Sequence, residues 1–238
     1  MVGRRAPVAT IVAVVLSALV AAGALVAAAT LRDRGADTSS PTGTPTEDTA
    51  DPVGPDGCRV APCTVLGRTP VGGAMIELVA DAGAKSGRLR IGGGTSQGVV
   101  FEVTITSDGT VTLDDQSLKC MTQGQTTCLI RGRTTGGMVG QVVVGRSGNW
   151  AEATRPFTSD AGYLSLADAD PTSGLEVLAV QYDCDRAVTP DCAGAKVFAQ
   201  VFTPNGQELG CTDNYSRLES MPKYPEVDFA KDDLHPCA

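Results

Sequence analysis

Eight cysteines, Cys58, Cys63, Cys120, Cys128, Cys184, Cys192, Cys211 and Cys237, all lie beyond residue 57 of a 238-residue chain. An even number of cysteines in an exported chain reads as a disulfide framework, which limits the fold to one stapled at fixed points. Zinc is the competing reading. One Cys-x4-Cys and two Cys-x7-Cys spacings match the usual x2–4 ligand spacing poorly. The first six cysteines form near-neighbour pairs that bracket turns. Spacing therefore predicts Cys58–Cys63, Cys120–Cys128 and Cys184–Cys192, and leaves Cys211 to hold the polar tail through Cys237.

The ends of the chain supply the export argument. After a tip of residues 1–5 carrying Arg4 and Arg5, residues 6–31 are uncharged and dominated by Ala, Val and Leu. As a helix this run extends about 39 Å, more than the roughly 30 Å of a bilayer's hydrocarbon. With its charge bias it predicts a signal anchor, N-terminus cytoplasmic and domain extracellular. Cleavage after Ala27-Ala28-Ala29, giving a secreted protein, is the alternative. Residues 32–57 have no aromatic residue and one large aliphatic, Val53. They read as a disordered Thr/Pro-rich linker, too poor in apolar surface to offset ordering entropy.

Residues 58–238 then read as one all-β domain. "VVFEVTIT" (99–106) alternates apolar and polar side chains, Ser107-Asp108-Gly109 marks a turn, and "TVTLDDQSL" leads back. "LEVLAVQY" (175–182) is apolar on both faces, as a central strand requires. "AKVFAQVF" and "QELGC" flank Asn205-Gly206, a strong hairpin signal. Superposing the two Cys-x7-Cys loops, 64 residues apart, predicts a duplicated four-stranded meander with each loop between its second and third strands. The expected architecture is a disulfide-rich meander domain, either a partial or small propeller or a β-sandwich.

The stretch "LADADPTSGLEVLAV" (166–180) resembles the FG-GAP/VCBS repeats of extracellular β-propellers. There an Asp-x-Asp-Gly-Asp-Gly-x-x-Asp turn precedes an apolar strand and binds calcium. The resemblance places Asp168, Asp170, Thr172 and Glu176 at ligand positions, with Pro171 and Ser173 where the family carries glycine. A hard cation wants six to eight oxygens, several of them carboxylate. A plain hairpin turn is the other reading of the same residues. Anchor, Thr/Pro spacer and cysteine-rich domain in series resemble envelope proteins of high-G+C Gram-positive bacteria.

Composition disfavours most enzyme classes. Triad or Cys-His catalysis needs an imidazole, and the one histidine, His235, sits beside Pro236 and Cys237. Gly92-Gly93-Gly94 is followed by no Lys-Ser/Thr, so it reads as an inter-strand loop rather than a phosphate cradle. Residues 58–159 hold 10 basic and 7 acidic side chains, whereas residues 160–238 hold 5 and 14. That acidic half disfavours nucleic acid and suits a solvated face or a basic partner. The expected function is a non-enzymatic, tethered ectodomain that binds a cell-envelope polymer or protein partner. Trp150 is the candidate contact residue, if it is not core. The alternative is an extracellular hydrolase with paired carboxylates, drawn from Asp168 with Asp170 or Asp183 with Asp185.

Overall fold

The computed structural model describes residues 58–92, 98–169, 174–184, 192 and 194–237. The expected anchor (6–31) and linker (32–57) lie outside the described residues. Among the described residues no helix is long and apolar enough to cross a membrane.

The described chain is all-β. Its strands are β1 (Thr64–Val71), β2 (Ala74–Ala80), β3 (Gly87–Gly92), β4 (Val99–Glu102), β5 (Leu118–Gln123), β6 (Gln125–Thr134) and β7 (Gly137–Arg146). There follow β8 (Asn149–Glu152), β9 (Phe157–Ser159), β10 (Leu164–Ala167), β11 (Glu176–Asp183), β12 (Lys196–Phe202) and β13 (Glu208–Cys211). They form three antiparallel meanders: β1-β2-β3-β4 (sheet 1), β5-β6-β7-β8 (sheet 2) and β10-β11-β12-β13 (sheet 3). β8 pairs with one end of β7, and β9 with the other.

Strand periodicity stacks these sheets in chain order, because alternate side chains enter opposite cores. From sheet 1, Ile76, Leu78, Leu89 and Ile91 pack against Cys128, Ile130 and Val143 of sheet 2. The other face of sheet 2 gives Leu129, Met138 and Val142, which meet Leu164, Leu166, Val177 and Ala179 of sheet 3. The remaining face of sheet 3, with Leu178, Val180, Val197 and Ala199, is covered by Met221, Val227 and Phe229 of the C-terminal tail. β6 and β11 thus bury both faces. Burying one such Leu or Val stabilises the fold by about 2 kcal/mol. The exposed face of sheet 1 instead carries a cross-strand ladder, Arg68–Glu77–Arg90, with ion pairs of 2.5 and 3.1 Å. On β7, where sheet 2 packs against Leu164 of sheet 3, residue 140 must be glycine. A Cβ there would lie 2.8 Å from Leu129 Cδ1 and would collide with Leu164.

Four disulfides join Cys58 to Cys63, Cys120 to Cys128, Cys184 to Cys192 and Cys211 to Cys237, the pairs that local spacing predicts. The third sheet is the expected meander, with β11 in an inner position and a hairpin turn at Asn205-Gly206.

The expected duplication fails in its register. Cys120 and Cys128 face each other directly across β5 and β6, the first two strands of sheet 2. Cys184 and Cys192 instead bracket the loop between β11 and β12, the second and third strands of sheet 3. The hairpin expected around Ser107-Asp108-Gly109 is absent as well. β4 stops at Glu102, Thr104–Thr106 form a 3₁₀ turn, and Thr112 makes only an isolated bridge to Arg133. The alternation there is real in burial, since Val103, Val111 and Leu113 all enter the first core. They enter it from a loop that packs without a full ladder. Apolar spacing reports which side chains are buried, and a ladder needs backbone partners besides.

Candidate functional site

A cavity of about 570 Å³ opens where sheet 2, the free edge of β10 and the C-terminal tail converge. Its origin is a parity rule. On β6, Leu129, Arg131 and Arg133 share the face turned toward sheet 3. Leu129 fills the core, whereas the two arginines line the cavity beyond it. Lys119, directly opposite Leu129 on β5, adds a third cation. Tyr163 and Ser165 come from the opposing sheet, and Leu218, Tyr224 and Glu226 from the tail.

The cations have few anionic partners. The Lys119 ammonium donates to Ser165 Oγ at 3.1 Å. Arg131 donates through Nε to the Gln116 carbonyl at 3.1 Å and through Nη1 to the Leu164 carbonyl, on the edge of β10. Arg133 has Asp114 at 3.8 Å. Glu226 is the one carboxylate among the described lining residues, and it forms no ion pair with Lys119 within 4 Å. Burial, and then the charge of Arg131, lower the Lys119 pKa, with Glu226 opposing. Burial likewise lowers that of Arg131 and raises that of the Tyr163 hydroxyl. The Tyr163 hydroxyl donates to the Pro225 carbonyl at 3.0 Å and accepts from the Val227 amide at 2.9 Å, which fixes the tail as a cavity wall.

A second cavity, of about 330 Å³, lies at the outer corner of sheet 3 and gathers Asp183, Asp213 and His235. His235 Nε2 is 3.5 Å from Asp213 Oδ1, and Asn214 donates to Asp183 at 2.6 Å. The Cys211–Cys237 disulfide forms part of its wall.

The residues singled out by sequence go elsewhere. Of the turn expected to hold calcium, Asp170 and Thr172 lie outside the described residues, as does Asp185. Asp168 is exposed and accepts from Gln123 Nε2 on both oxygens at 3.1 Å. Glu176 is buried, and its Oε2 accepts from the Ala169 amide at 2.9 Å. That bond ties the start of the turn to the strand following it. Trp150, on β8, is half-buried and lies over Gly145, where a Cβ would meet the indole at 2.5 Å. It packs against the first core and is not among the residues lining the large cavity.

Among the described residues, one group of His, Cys, Asp and Glu is close enough to share a metal: Cys58, Cys63 and Asp81. The chemistry does not fit one. Both sulfurs are joined in the disulfide, and Asp81 is held by Arg88 at 3.0 and 3.3 Å and by Ser86 at 2.6 Å. Burial raises the Asp81 pKa, but the Arg88, Ser86, Arg59 and Val60 hydrogen bonds outweigh it. The carboxyl stays well below the usual range. This cluster is a clamp on the loop leading into β1.

Sequence reading missed the cationic cavity. Its one local signal was in "TCLIRGRT" (127–134), where two arginines stand at the parity of a core leucine. Comparison with known protein families, curated proteins and solved structures returns no match to this chain.

Proposed function

We propose that this chain is a non-enzymatic, membrane-tethered extracellular β-domain that binds a cell-envelope polymer or protein partner. In this reading residues 6–31 anchor it, residues 32–57 space it from the bilayer, and the three stacked meanders form a partial propeller. Four disulfides suit an oxidising compartment. The observation that carries the reading is the cavity of about 570 Å³, lined by Lys119, Arg131 and Arg133. Two of these cations, Lys119 and Arg131, are partly buried with no described carboxylate within 4 Å, which is costly to maintain for folding alone. They suit an anionic ligand that enters from outside. The acidic half of the sequence suggested a basic partner, whereas this cavity favours an acidic one.

The test uses the purified full chain in mild detergent, mixed with envelope fragments from cells that lack it. Cosedimentation that weakens with salt is expected. Recovery of all the protein in the supernatant at low salt would sink the reading.

A second reading, an extracellular hydrolase using carboxylates, is favoured by the smaller cavity, whose lining includes Asp183, Asp213 and His235. Turnover of envelope glycan abolished by Asp183→Asn would establish it.

A further inference from the structure

We infer that the large cavity recognises an acidic sugar, a pyranose ring bearing a carboxylate or phosphate, within an envelope glycan. The inference rests on the binding reading above and names the ligand class of that same site.

Three features of the cavity define the ligand. The first is charge. Lys119, Arg131 and Arg133 come from adjacent strands and face one space, with Glu226 the one described carboxylate on its lining. Arg131 forms hydrogen bonds with two backbone carbonyls, which orient the guanidinium, and Asp114 compensates its charge only from a distance, without an ion pair within 4 Å. Lys119 has a hydroxyl partner, and an ammonium offers three donors. An anionic group entering here receives charge-assisted hydrogen bonds, roughly twice as strong as neutral ones.

The second feature is the mixed character of the wall. Two tyrosines, Tyr163 and Tyr224, and two polar residues, Ser165 and Gln116, are among its lining residues. A sugar has the same mixture, with apolar C–H faces and a rim of hydroxyls. The third is the sign of the surroundings. Glu226 accepts hydrogen bonds from sugar hydroxyls, whereas a peptide with a charge at every residue offers it only repulsion. The other 13 acidic residues of positions 160–238 add to that repulsion at longer range. An anion carried on a hydroxyl-bearing ring is therefore favoured over a densely acidic peptide. Such a peptide, in extended form, would also seek a sheet edge, and Arg131 already covers the Leu164 carbonyl on the edge of β10.

The experiment is calorimetric titration of the full chain in detergent with trigalacturonate, glucose 6-phosphate, carboxyl-reduced trigalacturonate, inorganic phosphate and hexa-aspartate. Binding of trigalacturonate or glucose 6-phosphate is expected, and which of the two binds identifies the anionic group. The carboxyl-reduced trisaccharide should bind at least tenfold more weakly than trigalacturonate if the carboxylate is read. Lys119→Gln should weaken the bound sugar at least tenfold, and Lys119→Arg should restore most of the loss. Melting temperatures no lower than the parent's for both variants separate this from misfolding. The inference is overturned if neither sugar binds, if Lys119→Gln binds as well as the parent, or if inorganic phosphate binds as tightly as the sugar. Tighter binding of hexa-aspartate overturns it in favour of a peptide. Should the sugars bind while envelope fragments do not, the envelope reading fails and the sugar site stands. Cosedimentation that persists in Lys119→Gln, with no sugar binding, overturns the sugar site and leaves envelope binding standing.

Discussion

Arg88 and Asp81 are bonded twice, Nη1 to Oδ1 at 3.0 Å and Nη2 to Oδ2 at 3.3 Å, with each side chain 2% exposed. The same guanidinium reaches Glu102 at 3.2 Å, and the same carboxylate accepts the Arg59 amide at 2.9 Å. The pair therefore holds the loop at residues 58–63 against sheet 1. Asp81→Asn removes the carboxylate bonded twice to a buried guanidinium and should cost about 3 kcal/mol. Urea denaturation of the full chain measures this. The double variant Asp81→Leu, Arg88→Met should recover much of the loss, since it buries no unpaired charge.

The same pair fixes an acid limit. The folded pKa of Asp81 lies below its unfolded value of about 3.9. Its contribution to stability is thus complete above that unfolded value and is lost as pH falls toward the folded one. Melting temperature should fall more steeply below about pH 4 in the parent than in Asp81→Asn. Parallel curves would remove Asp81 from the acid response.

Lys119 predicts two opposite slopes. Its folded pKa lies below the ordinary lysine value of about 10.4. Between the two values the unfolded state binds more protons, so stability rises with pH. Anion binding needs the charged ammonium, and affinity for the acidic sugar should fall across the same window. Titrations at stepped alkaline pH, beside Lys119→Arg as the control, read both effects.

The tail should behave as a tethered cover. Cys211 and Cys237 are 26 residues apart in sequence, and closing such a loop contributes about 3.5 kcal/mol in the chain-entropy model. Replacing both by alanine should lower the melting temperature and expose residues 212–237 to proteases. It should also weaken sugar binding, because Tyr224 and Glu226 belong to the cavity wall.

Gly137 has φ +134, and a Cβ there would run into the carbonyl of Ser159 on β9. Gly137→Ala must displace backbone, at a cost of about 2–3 kcal/mol. Ser159 Oγ also accepts from the Tyr163 amide at 3.0 Å. Loss of sugar affinity alongside the stability loss is therefore expected. A change confined to stability would show that β9 does not position Tyr163.

Much of this fold was legible because burial and cysteine spacing are local properties. "LEVLAVQY" reads as an inner strand from eight consecutive letters, and Cys184 lies close enough to Cys192 to name its partner. Misreading began where a loop imitates a strand: Val103, Val111 and Leu113 alternate as if in a ladder, yet they fill the core from a turn and an extended segment. The cavity was less legible still. Lys119 and Ser165 are 46 residues apart, and Tyr163 and Pro225 are 62 apart. No window of the sequence contains both halves of such a contact, and net charge averaged over each half of the domain hid a cationic cluster next to acidic surroundings.

The clamp on residues 58–63 also decides how the domain bears force. Tension applied on the N-terminal side of Cys58 meets the Cys58–Cys63 bridge first, so part of the load passes through a covalent bond rather than through the loop. It then meets the Arg59 and Val60 amides on Asp81, the Arg59–Glu102 ion pair, and the Ala82 amide on the Val60 carbonyl. These contacts spread the pull over β3, β4 and the end of β2 before any hydrogen bond between β1 and β2 is strained. The strand that opens a domain is the first in line for such a pull. Here that strand is sheltered, and the first non-covalent contacts to yield are those of a charged cluster that can re-form when the pull relaxes.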